Sequence, residues 1–187
     1  MTLEREIHAA FDTDTVRVYQ AYHDRIADEV LRLGNFGTYF KPGKTTWLKP
    51  TFLWMMHRCN WGARRGQSRI LAIDIKRDGF DRILTETVRS TYSEELYGSL
   101  EQWQKLLQTT EARSQWSPSR DALGIRQRHL SVQLGIRGEL LRLYSDDWIV
   151  KISDLTEMVQ HLRSIRDQGK LIADLLPTEQ PYPLSCD

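Results

Sequence analysis

The chain has 187 residues, 40% hydrophobic and 27% charged, a balance that fits one ordinary globular domain and excludes disordered and collagen-like classes. Its 26 Lys plus Arg stand against 25 Asp plus Glu, and that near-neutral sum argues against a general polyanion binder. The basic set divides into 19 Arg and 7 Lys beside 6 Trp and 7 Tyr, and guanidinium and amphipathic aromatic groups are what grip phosphates, carboxylates and flat rings.

Met1 to Asp14 is acidic and lacks the apolar run of a secretory signal, so export is not expected. Thr15 to Ala21, TVRVYQA, is rich in β-branched and aromatic residues and predicts a strand. Alternation puts Val16, Val18 and Gln20 on one face and Arg17, Tyr19 and Ala21 on the other. Asp24 to Leu33 spaces Ile26, Ala27, Val30 and Leu31 for a helix, with Gly34 as its C-terminal cap. Asn35 to Thr46 reads as a loop. Pro50 then fits the first turn of a buried helix with interior Thr51 to Cys59. The apolar run from Pro50 to Met56 is far shorter than the roughly 20 residues that cross a bilayer, so no membrane partner is expected.

After a basic turn ending at Gly66, the aliphatic run Arg69 to Ile75 predicts a central strand. Asp78 and Asp81 open a helix expected to bury Phe80, Ile83, Leu84 and Val88. Leu100, Trp103, Leu106 and Leu107 mark another helix, closed by the polar stretch Gln108 to Ser119. His129 to Arg137 alternates Leu130, Val132, Leu134 and Ile136 with polar residues, the pattern of a half-buried strand. A short helix over Gly138 to Tyr144 and a strand over Trp148 to Ile152 follow. Asp154 and Glu157 have capping-box spacing ahead of a helix whose stripe is Leu155, Met158, Val159, Leu162, Ile165 and Ile172. These elements predict one α+β domain over 1–176, with a mixed or antiparallel central sheet flanked by helices, and a Pro-rich extended tail over 177–187.

The two cysteines, Cys59 and Cys186, lie far apart, which argues against a disulfide framework and for a reducing, cytoplasmic setting. Arginines concentrate in two windows: His57 to Arg69 holds Arg58, Arg64, Arg65 and Arg69 with no acid, and Arg113 to Arg142 holds six against Asp121 and Glu139. Such windows are either solvated surfaces or two walls facing one anionic ligand. The five histidines do not fall at metal-ligand spacing and no Cys pair supports them, so no metal is expected. Walker, G-x-G-x-x-G and G-x-S-x-G motifs are missing.

Three constellations remain. Arg17, Tyr19, Gln20 and Tyr22 lie on the opening strand, and an Arg there needs an anion because its charge cannot be shed. That anion is either one of the chain's own acids or a ligand phosphate. Thr46, Trp47, Lys49, Trp54 and Arg58 mix a hydroxyl, flat rings and cations, either as plain core and surface or as a nucleotide pocket. Gln133 and the acids Asp146 and Asp147 sit in and before late strands, as turn caps or as groups for base and cation-stabilising work. A rival arrangement is Asp74 and Lys76, an acid and a lysine two apart on a strand, as in metal-dependent nucleases.

The strings TVRVYQAYHDRIADEVL, TTWLKPTFLWMMHRCNW, ILAIDIKRDGF and SVQLGIRGE through DDWIVKISDLT resemble the family of the domain of unknown function 4291, over roughly Ile7 to Met158. In element order the chain is also similar to ADP-ribosyltransferases: Arg17 on an opening strand, a helix closed by Gly34, Thr46 and Trp47, then Asp147-Trp148-Ile149-Val150. It lacks their Ser-Thr-Ser string, and its late acid is Asp rather than Glu. That resemblance implies NAD as cofactor, with Arg17 and Lys49 on phosphates, Tyr19 or Trp47 stacking a ring, and Asp147 or Gln133 beside the ribose. The resulting expectation is a nucleotide-binding protein resembling an NAD-dependent ADP-ribosyltransferase. The alternatives are a non-catalytic nucleic-acid-binding module using the Arg-rich windows, and the Asp74 nuclease.

Overall fold

The computed structural model describes residues 4–41, 45–171 and 173–183. Ile172 and Cys186 lie outside them. In chain order the elements are β1 (Glu4–Arg5), β2 (His8–Ala9), β3 (Thr15–Tyr22), α1 (Asp24–Leu33), β4 (Thr46–Leu48), α2 (Phe52–Cys59), β5 (Arg69–Lys76), α3 (Arg77–Glu86) and β6 (Thr87–Arg89). There follow α4 (Glu94–Tyr97), α5 (Leu100–Thr109), β7 (Ala112–Arg120), β8 (Arg126–Ile136), α6 (Gly138–Leu143), a π-helical turn Tyr144–Trp148, β9 (Ile149–Asp154), α7 (Thr156–Asp167) and β10 (Gln180–Pro181). The α+β class is as expected.

The strands pair in both senses. One sheet runs β1-β8-β7-β6, with β4 also on β8; β1 joins β8 and β6 joins β7 in parallel, and the rest is antiparallel. A second sheet runs β3-β5-β9, and β10 pairs with β2. The alternating strands explain how the sheets meet. Val16 and Val18 of β3 and Leu71, Ile73 and Ile75 of β5 share one apolar cluster with Val132, Leu134 and Ile136 of β8. The opposite face of the smaller sheet, with Tyr19, Ile70 and Ala72, packs on Phe52, Met55 and Met56 of α2 and on Val159 and Leu162 of α7. A short bridge joins the sheets, the Tyr19 N–H donating to the Lys49 carbonyl at 2.8 Å just past β4.

Several expectations change. Thr46 begins a strand, and Ala112–Arg120, read as a polar connection, is a nine-residue strand. Its burial alternates only weakly because its outer neighbour β6 covers three residues. Val88 belongs to β6 rather than to the helix before it. The cap of α2 is Thr51, one residue after Pro50. Asp154 closes β9 and accepts the Thr156 N–H at 2.9 Å, so the capping box with Glu157 does not form, and α7 ends at Asp167, well before Pro177. The Gly34 cap is as expected, at φ 70° with its N–H on the Val30 carbonyl. Past Pro177, Gln180–Pro181 pair with β2 and Tyr182 enters the larger cluster, so this stretch is built into the domain.

Candidate functional site

β4 crosses between the two sheets and opens a cavity of about 400 Å³ at their junction. Gln20 and Tyr22 of β3, Thr46 and Trp47 of β4, Lys49, Arg58 of α2 and Gln133 of β8 all line it. Seven of the residues singled out in the sequence therefore meet at one place. Trp47 is held there by Gly135 directly opposite in β8: a Cβ at that position would sit 3.0 Å from the indole and 2.8 Å from Thr45. Phe40, also on the wall, packs on Phe36 with ring centroids 4.2 Å apart and planes tilted by 40°, in a loop that buried Glu29 ties down by accepting from the Tyr39 N–H at 2.7 Å and the Thr38 hydroxyl at 2.9 Å.

The polar groups are arranged in a chain. Tyr144 donates at 2.7 Å to Oε1 of Gln20, whose Nε2 donates to the Trp47 carbonyl at 3.2 Å. The same carbonyl accepts from Lys49 Nζ at 3.3 Å. Lys49 is 6% exposed, and among the described residues it makes no ion pair. Burial, reinforced by the charge of Arg58, pushes its ammonium down to about 8. Burial also raises the hydroxyls of Tyr22 and Tyr144 well above their ordinary value, so both stay protonated. Gln133 donates to Gln115 at 2.6 Å across β7 and β8, and Oε1 of Gln67, on the same wall, is buried with no hydrogen-bond partner among the described residues. No carboxylate lines this cavity among the described residues.

Arg58 also borders a second cavity of about 270 Å³, walled by Trp54, His57 and Arg120 with serines of β7 and β8. The two recesses thus share a cationic wall, with Trp54 in one and Trp47 in the other. Of the Arg-rich windows only Arg58 and Arg120 line these recesses. Arg113 braces the Leu107 carbonyl, Arg137 the Thr110 and Gln108 carbonyls, and Arg142 pairs with Glu139. Arg69 binds Asp28 and Asp154. The expectation of two facing walls is corrected accordingly: most of these arginines hold the chain's own groups.

Three expected site residues lie elsewhere. Arg17 faces Asp74 across β3 and β5 and binds it through two hydrogen bonds of 2.7 and 2.9 Å, so its anion is internal. Tyr19 is wholly buried against Phe52, with its hydroxyl unpartnered among the described residues. Asp147 is exposed and pairs with Lys76 at 3.0 Å, away from the cavity wall. The rival nuclease arrangement loses both members to these pairs, and Asp74 belongs to no metal-ligating cluster among the described residues. The sequence reading missed Gln115 because β7 passed for a loop; its run of polar residues gave no signal of a strand, and only the register with β8 sets Gln115 opposite Gln133. Gln67 gave none, being in a basic turn.

No described helix is long and apolar enough to cross a membrane. No curated protein matches the chain. The model of the domain of unknown function (DUF4291) matches residues 6–182, which takes in every strand after β1, both cavities and the paired segment at Gln180–Pro181, and the chain belongs to that family.

Proposed function

We propose that the paired cavities bind a nucleotide-type small molecule, with phosphate held by Lys49 and Arg58 and a dinucleotide such as NAD filling both recesses. The observation that carries this reading is Lys49. A buried ammonium without a carboxylate costs several kcal/mol of lost hydration unless an anion compensates it. A phosphate beside Lys49 and Arg58 supplies that charge. Trp47 and Phe40 in one recess and Trp54 in the other offer flat apolar surface for rings, while Gln20, Gln115 and Gln133 offer amides to sugar hydroxyls.

ADP-ribose transfer is the narrower form of this reading. Its oxocarbenium-like centre calls for a nearby carboxylate, whereas the described wall carries amides, so binding is proposed here without turnover. The test is thermal unfolding of the full chain with NAD, ATP and short RNA at millimolar concentration, in the wild type and in Lys49→Met and Arg58→Ala. A ligand held at about 100 times its Kd stabilises the native state by about 2.7 kcal/mol. A rise in Tm with NAD or ATP that both variants lose supports the reading. Absence of any shift with either nucleotide, or a shift that survives in Lys49→Met, overturns it. Steeply salt-dependent RNA binding without a nucleotide shift favours the nucleic-acid alternative.

A further inference from the structure

A second constellation lies at the far end of β8. Glu6, between β1 and β2, His8 of β2 and His129 of β8 bring one carboxylate oxygen and two imidazole nitrogens within 4.8 Å of one another. Nε2 of His8 is 2.8 Å from Oε2 of Glu6, and the imidazoles of His8 and His129 stack with centroids 5.4 Å apart and planes 21° apart. All three side chains are half-buried. We propose that Glu6, His8 and His129 form a binding site for a zinc-type divalent transition ion.

The donor set selects the ion. Two imidazoles with one carboxylate suit zinc, cobalt or nickel, whereas magnesium and calcium require oxygen ligands throughout. Ligands about 2.1 Å from a tetrahedral ion lie about 3.4 Å from each other, so separations of up to 4.8 Å close with small side-chain rotations. The backbones that carry the donors are already fixed. Glu4 and Arg5 pair in parallel with His129 and Leu130, and the Glu6 N–H donates to the Leu130 carbonyl at 3.1 Å. His8 pairs with Pro181 on one side, and its carbonyl accepts the Thr51 hydroxyl at 3.1 Å on the other. Three protein ligands leave a fourth position for water or an anion. The bound ion would fasten the two-residue strands β1 and β2 to β8, where backbone hydrogen bonds are few.

The experiment uses the full chain with Cys186→Ser, which removes a competing soft ligand, after chelation and dialysis. Titration calorimetry with zinc should find one equivalent bound in the micromolar range or tighter, and cobalt should give the visible bands of a low-symmetry N/O site. His8→Ala and His129→Ala should abolish both signals, Glu6→Gln, which replaces a charged ligand oxygen by a neutral amide, should weaken binding by at least about 10-fold, and exposed His161→Ala should change nothing. Zinc should raise Tm only where it binds. Circular dichroism of the metal-free variants separates loss of a ligand from loss of fold, and Glu6→Gln, which keeps the side chain's shape, decides the matter if a His variant unfolds. Failure of zinc and cobalt to bind, or binding unaltered in folded His8→Ala or Glu6→Gln, overturns the proposal.

Discussion

At the scale of single residues, Lys49 and Arg17 show how the same kind of problem receives two solutions. Both are cations on or beside an apolar sheet. Arg17 has Asp74 directly across the ladder, and that pair, hydrogen-bonded twice and partly exposed, holds the guanidinium charged. Asp74→Ala should lower stability by about 1–2 kcal/mol in urea unfolding, a partly solvated pair being worth less than a buried one. Lys49 Nζ donates to the Trp47 carbonyl, has the charge of Arg58 nearby, and makes no ion pair among the described residues. A lysine held at about 8 binds fewer protons when folded than when unfolded, so its cost is fully present below about pH 8 and is relieved as pH rises toward the ordinary lysine range. Lys49→Met should therefore stabilise the free protein at neutral pH by about 1–3 kcal/mol while removing phosphate affinity, the exchange of stability for function seen at binding sites. Wild-type affinity for an anionic ligand should fall between about pH 7 and pH 9, and calorimetry across that range checks it.

At the scale of elements, the clearest lesson is α2. Its sequence looks like a self-sufficient buried helix behind Pro50, yet its first free N–H, that of Phe52, is taken at 2.6 Å by Glu179, far away in the sequence. Burial pushes that carboxyl up to about 8 against the opposing pull of the N–H. A raised carboxyl contributes stability in full below its ordinary value near 4.5, and the contribution is lost as pH rises through about 8. Glu179→Gln, which keeps an acceptor for the N–H, should flatten the fall in unfolding free energy between about pH 5 and pH 8, as urea midpoints at a series of pH values would show. Gly135→Ala tests the β4–β8 contact: the added methyl group displaces Trp47, and nucleotide affinity should drop at least 10-fold with the fold retained. The elements that were misread share a cause. β7, β4 and β6 are short or polar, and they are strands because β8 and β7 offer them free edges, not because of their own periodicity. β3 and β8 alternate, β5 is a continuous aliphatic run, α1 and α7 carry a helical stripe, and each is present.

At the scale of the whole molecule, two sheets share one apolar cluster while α2 and α7 cover the second face of the smaller sheet, and the segment beyond Pro177 closes the structure. Tyr182 is 4% exposed, packs edge-on to Phe11 and Phe80, and donates to Asp81. Tyr182→Ala should cost about 3 kcal/mol by the measure of buried aromatic truncations; an appended tail would show no change in denaturant unfolding. Taken alone, the sequence determined the α+β class, the strongest helices and strands, and a set of cationic, amide and aromatic residues that seven times out of eleven line one cavity. Those features follow from local periodicity and residue chemistry, which a linear chain displays. Only the tertiary structure decided that Arg17 spends its charge on Asp74, that Asp147 pairs with Lys76 outside the cavity, and that Glu6, His8 and His129 meet. Partners of charge and metal ligands are chosen by distance in space, and strand register, which sets that distance, depends on pairings between segments that no single stretch of sequence records.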